Sequence, residues 1–269
     1  MSQLHQETIR QAVMENYTKV AERGGGGCGP EAPGGVGCCG GGTVSISNQI
    51  GYSEAELSSV PEGSDMGLGC GNPQAIASLK PGETVLDLGS GGGFDCFLAA
   101  RQVGESGRVI GVDMTPEMIR KARSNAQKSA QKGGHANVEF RLGEIEHLPV
   151  AVRSVDAIIS NCVINLSPDK PAVFRDAFRV LKPGGRLAIA DIVATAALPE
   201  DARQDLALIS GCVGGAAPMD EIETFLREAG FRDIRIQPKD SSREFIREWA
   251  PGRRVEDYVV SATIEAVKP

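Results

Sequence analysis

Basic residues, aromatics, histidines and long apolar runs are all scarce in this chain of 269 residues. Lys and Arg total 28 against 35 Asp and Glu, giving a formal charge of −7. That balance excludes a protein that follows nucleic-acid phosphates across a basic face. No apolar stretch approaches the length needed to span a bilayer. The polar start of the chain lacks the charged-then-apolar layout of a secretory signal. A soluble, cytoplasmic protein with no membrane and no nucleic-acid partner is therefore expected. Phe, Trp and Tyr make up 4% of the residues, which weighs against a large flat substrate pocket. Only His5, His135 and His147 are present as imidazole bases.

Glycine and cysteine are what the chain has in quantity. Eleven glycines between Gly24 and Gly42 make a stretch that cannot pack a core. The seven cysteines are Cys28, Cys38, Cys39, Cys70, Cys96, Cys162 and Cys212. An odd count at wide spacing in a chain this long is unlike a secreted disulfide framework. In a reducing compartment such thiols are core residues, catalytic groups or metal ligands.

Apolar residues at Ile9, Val13, Tyr17 and Val20 repeat at helical spacing, so residues 3–22 are predicted to form a helix. Beyond a connector, strands and helices alternate. Strands are expected over 84–88, 108–113, 137–141, 155–160, 186–193, 231–236 and 258–267. Helices are expected over 94–102, 116–131, 170–180 and 219–229. Pro116 suits a first helical turn, Gly230 a helix stop, and Lys182-Pro183-Gly184-Gly185 a turn before the fifth strand. This alternation implies a doubly wound α/β fold, with a mostly parallel, seven-stranded, Rossmann-like sheet covered on both faces. The two successive strands at the end suggest one antiparallel edge strand.

The sharpest motif is Asp87-Leu88-Gly89-Ser90-Gly91-Gly92-Gly93, lying directly after a strand and before a helix. Ligands of doubly wound sheets bind at the carboxyl ends of strands. A dinucleotide fingerprint needs a glycine where Phe94 stands. An acid two residues before the first glycine would repel a pyrophosphate, but it suits the cationic methionyl end of S-adenosylmethionine. The arrangement resembles motif I of class I methyltransferases. Cofactor contacts are then expected from Asp87, Gly89, Ser90 and Gly91. They are also expected from Asp113 and Met114 after the second strand, Glu144 and Ile145 after the third, and Asn161 after the fourth. Asp113 suits the ribose hydroxyls; a helix cap before Thr115-Pro116 is its bland alternative.

Where such an enzyme faces the reacting methyl, the segment Ser160-Asn161-Cys162-Val163-Ile164-Asn165 offers a thiol and no base. A base-free site suits an acceptor with its own lone pair. Cys70 and Cys212 also sit among glycines, where a thiol is easily reached. Thiolates choose soft acceptors, and trivalent arsenic takes three of them. Other readings remain open at this level. They include buried cysteines acting as small hydrophobes, which is how Cys96 is read. They also include a zinc site, against which the adjacent Cys38-Cys39 is poor spacing, a small organic acceptor such as a quinone, and a non-enzymatic thiol-rich binding protein.

The segments Glu62–Pro73, Val85–Asp95, Gly143–Glu146, Ser160–Leu166 and Gly211–Gly215 resemble arsenite methyltransferases, especially the microbial form. The resemblance covers roughly residues 45–230 and the closing Glu265–Pro269. It implies methyl transfer from S-adenosylmethionine to thiol-bound As(III), in the service of arsenic detoxification. Cys162 and Cys212 would hold arsenic throughout, and Cys70 would complete the trithiolate. Cys70 would also pair with Cys38 or Cys39 in a redox step. A thiol such as glutathione, or thioredoxin, would be the reductant, with no bound redox cofactor, and the protein is expected to be a monomer. Residues 1–79 would then form the N-terminal helix, Gly/Cys-rich loop and connector. Residues 80–200 would be the S-adenosylmethionine-binding core, and 201–269 would complete the sheet and the arsenic site.

Overall fold

A computed structural model describes residues 3–23, 46–134 and 136–269. Helix α1 (Gln3–Arg23) is followed, after the connector, by β1 (Thr84–Leu88), α2 (Phe94–Val103), β2 (Arg108–Asp113), α3 (Pro116–Gln131) and β3 (Val138–Leu142). Then come β4 (Val155–Asn161), α4 (Lys170–Val180), β5 (Leu181–Ala194), α5 (Met219–Ala229), β6 (Arg232–Lys239) and β7 (Val259–Val267). Pro116 opens α3, and Gly230 ends α5 in the left-handed region at φ 106°.

The strands form one sheet in the order β3-β2-β1-β4-β5-β7-β6. β1 to β5 are parallel, and β7 runs antiparallel to both β5 and β6. The antiparallel strand is therefore not the edge strand. β7 is almost wholly buried, whereas β6, with Arg232, Asp233, Arg235 and Lys239, is mostly exposed. The apolar strand takes the interior place and the charged one the edge, where its side chains discourage pairing with another chain. A second difference lies at residues 182–185. β5 already begins at Leu181, the register shifts between Val155 and Ala157, and Gly184 N donates to Lys268 O at 2.8 Å. The expected turn is a bulge within the strand.

Because the chain winds outward from β1 in both directions, the carboxyl ends of β1 and β4 lie side by side at the switch point. One face of the sheet is covered by a core that includes Phe174, Leu226 and Phe231. The other is covered by one that includes Phe97, Val103, Ile119 and Phe140. Helix α1 buries Ile9 and Val13 and packs against α3 and the short helix Leu206–Ser210. Among the described residues no helix is long and apolar enough to cross a membrane.

Phe174 on α4 is fully buried. Phe174→Ala should destabilise the protein by about 3–5 kcal/mol. A lower denaturant midpoint at unchanged slope is the expected reading.

Candidate active site

The loop after β1 turns back over the sheet. Gly89 N and Ser90 N both donate to Val112 O, at 2.8 and 3.0 Å. Gly89 has φ 68°, and a Cβ there would stand 2.4 Å from Val163 Cγ2. Only glycine fits between the two loops. At the end of β1, Asp87 is 3% exposed, and Cys96 Sγ donates to its Oδ2 at 3.2 Å. Cys96 is buried as expected but has a polar partner. Burial, and then the neighbouring Asp95, push the Asp87 carboxyl well above the carboxylate range.

Asp95, two residues past the glycine run, belongs to the same site and was not foreseen. Its Oδ1 accepts from Tyr52 Oη at 2.8 Å and from Gln74 Nε2 at 3.3 Å. Burial raises it to about 6, against the pull of those hydrogen bonds and of one from Asn161. Asp113 accepts from Gly91 N at 3.0 Å and from Thr115 N at 2.8 Å, so it ties the β1 loop to the start of α3. Thr115, and not Asp113, holds the cap position of α3, and the backbone bonds leave lone pairs on both Asp113 oxygens.

A cleft opens over these strand ends. Asp87, Gly89, Ser90, Gly91, Asp113, Met114, Ile145 and Asn161 line it. Glu144 does not. Its side chain is 47% exposed, while Glu146 lines the cleft and accepts from Ser167 Oγ at 2.6 Å. Arg10, Val13 and Tyr17 of α1 also line the cleft. Asn161 reaches further. Its Nδ2 donates to Gly71 O at 2.8 Å and to Tyr52 Oη at 3.0 Å, and its Oδ1 accepts from Cys70 N at 3.1 Å.

Three cysteines meet beside this cleft. Cys162 follows β4 and lines it. Cys212 Sγ donates to Cys162 O at 2.7 Å. Cys70 Sγ, Cys162 Sγ and a carboxylate oxygen of Asp191 lie within 4.8 Å of one another. Both Cys162 and Cys212 hold left-handed backbone, at φ 58° and 64°. The Cys162 thiol is drawn down by Cys212 but raised more by Cys70 and burial. The Cys212 thiol is raised by Cys162 and then by burial. Both stay protonated without a ligand. Asp191, an acid inside an apolar strand, is the one signal in the sequence that could have revealed this neighbour. Cys28, Cys38 and Cys39 lie outside the described residues.

The methyltransferase-domain family matches residues 79–230. The arsenite methyltransferase of Halobacterium salinarum is 54% identical over 267 residues, covering 98% of this chain and 67% of its own length. That of Aquipseudomonas alcaligenes is 47% identical over 179 residues, 65% of this chain and 51% of its own. The crystal structure of an arsenic(III) S-adenosylmethionine methyltransferase from Chlamydomonas reinhardtii matches at 31% identity with a TM-score of 0.63. It covers 85% of this chain and 75% of that one. This chain belongs to the arsenite methyltransferase family. It spans about two thirds of the Halobacterium relative's length and about half of the Aquipseudomonas one. The fold class expected from the motifs and the family expected from the resemblance both hold.

The pH dependence follows from Asp95. Its folded value of about 6 lies above the ordinary 3.8. The folded protein thus binds a proton that the unfolded chain releases, and this stability is lost as pH rises from about 4 through about 6. Asp191, also near 6, acts in the same direction. The ammonium group of S-adenosylhomocysteine favours ionised carboxyls beside it, so its affinity should rise several-fold across the same window. Calorimetry at about pH 5 and about pH 7.5 checks this, and Asp95→Asn should flatten both trends.

Proposed function

We propose that this protein methylates trivalent arsenic with S-adenosylmethionine as methyl donor, giving methyl- and then dimethyl-arsenicals. The observation that carries the reading is the convergence of Cys70 and Cys212 on Cys162, which lines a cleft walled by buried carboxyls. When bound, S-adenosylmethionine supplies a methyl group on a cationic sulfur. Asp87 and Asp95 would face its ammonium and sulfonium charge, which offsets the burial of both acids. Asp113 would take the ribose hydroxyls, and Ile145 with Glu146 the base.

The neutral thiols suit arsenite. Each As–OH exchanged for a thiol takes the thiol proton and leaves as water, so no base is required. The arsenic lone pair then attacks the methyl carbon in line. The carbon–sulfur bond breaks, and its electron pair departs on S-adenosylhomocysteine. Positioning and exclusion of water supply the rate, because no proton has to move in that step. Arsenic has now given two electrons to the new bond. Two thiols, Cys70 with Cys38 or Cys39, return them by closing to a disulfide, which glutathione or thioredoxin reopens. The outcome is the detoxification of arsenite.

Cys162→Ser and Cys212→Ser should each abolish turnover of arsenite while S-adenosylhomocysteine still binds. Chromatography with arsenic-specific detection, beside calorimetry with S-adenosylhomocysteine, reads both. Undiminished arsenic methylation in either variant would remove the trithiolate site. Activity on an organic acceptor that is indifferent to both substitutions would replace arsenic with that acceptor.

A further inference from the structure

Helix α1 lies outside the region matched by the methyltransferase domain, yet it walls the cleft. Arg10, Val13 and Tyr17 lie on one face at spacings of three and four and all line it. Val13 is buried, and the Tyr17 hydroxyl donates to Ser210 O at 3.4 Å, so the helix is anchored at this face. Arg10 stands apart from its neighbours. Three carboxylates surround its guanidinium: Glu7 at 3.8 Å, Glu144 at 3.9 Å and Glu146 at 3.7 Å. None comes within hydrogen-bond distance, and the buried Nε has no hydrogen-bond partner. An arginine carries five donors, and leaving such groups unsatisfied in a half-buried setting is unfavourable. The acids hold the cation in place without using its donors.

The position of Arg10 says which part of a ligand it meets. The β1 loop takes the methionyl end and Asp113 after β2 takes the ribose, so the next loop outward, after β3, takes the base. Arg10 sits over that loop, between Glu144 and Glu146. An adenine presents ring-nitrogen acceptors there and an amine donor, which match an arginine and a carboxylate respectively. We propose that Arg10 is a cofactor-binding residue that donates to the adenine of S-adenosylmethionine and ties α1 to the occupied cleft. This rests on the cofactor assignment made above.

The test is calorimetric binding of two ligands to the full chain. S-adenosylhomocysteine carries both ends of the cofactor product, and 5′-methylthioadenosine lacks the amino-acid end. Arg10→Met should weaken both by about tenfold. Arg10→Lys keeps the charge among the three carboxylates, and so the docking of α1, but withdraws the planar donors. It should weaken both ligands as well. Parent-like affinity for both ligands in Arg10→Lys overturns the proposal. So does a loss confined to S-adenosylhomocysteine, which would place Arg10 at the methionyl end. If the parent protein binds neither ligand, the cofactor assignment itself falls, and the two failures are thereby distinct.

Discussion

The carboxylate of Asp191 is 1% exposed and holds the loop that carries Cys162. It accepts from Ile164 N at 2.8 Å, Asn165 Nδ2 at 2.9 Å and Ile192 N at 2.7 Å. Asn165 also donates to Ile192 O at 2.6 Å, so the loop is clamped to the end of β5 at two points. The next loop is registered on the first. A Cβ at Gly215 would stand 2.1 Å from Asn165 O, which leaves only glycine there. Cys212, three residues earlier, closes the contact through Cys162 O. Cys70 is brought in separately, by Asn161 at the end of β4 and by Ser261 Oγ, which donates to Cys70 O at 2.6 Å. Three segments far apart in sequence thus meet because Asp191 and Asn161 each bind two backbone groups. Such networks rigidify a site when they are fully satisfied.

Electrostatics divides the cleft lengthwise. At the β1 end, Asp87 and Asp95 are buried beside each other, and among the described residues no hydrogen-bonding cation neutralises them. Both are pushed toward the protonated form. Folding therefore makes charge on these acids costly, and a cationic ligand offsets that cost, so its binding strengthens as they ionise. At the β3 end the arrangement is reversed: Arg10 sits among carboxylates with its donors unused. A ligand cationic at one end and rich in acceptors at the other fits both halves. An anionic nucleotide fits neither.

Much of this was legible in the sequence. The inner parallel strands are rich in apolar residues, and the β1 loop combines glycines with an acid at a strand end. Flanking glycines singled out Cys70 and Cys212. What escaped depends on contacts between distant segments. The place of β7 in the sheet follows from which of two strands is the more apolar, a comparison that periodicity within either strand does not make. Glu144 and Glu146 are two residues apart in a turn, and the turn's geometry, not their chemistry, decides which carboxylate faces the cleft. Asp95 reads as a first-turn acid of α2 until Tyr52 and Gln74 are seen to hold it. The apolar stripe of α1 predicted a docked helix, but nothing in it said that the docking face would line a cleft. The cysteines between residues 24 and 45 were singled out by composition alone.

The backbone at the cysteines carries the argument one step further. A side chain in the left-handed region costs about 1–2 kcal/mol, and Cys162 and Cys212 both occupy it. Glycine would remove that cost, yet both positions carry a thiol side chain, so the strain persists there. It can persist only because the surrounding contacts over-determine the loops, and the bonds from Asp191 and the Gly215–Asn165 approach are those contacts. The consequence is that the two thiols are placed before any ligand arrives. On the proposed reading, a soft acceptor meeting them would have little ordering entropy to overcome, and the loops, in place of a protein base, would direct its lone pair.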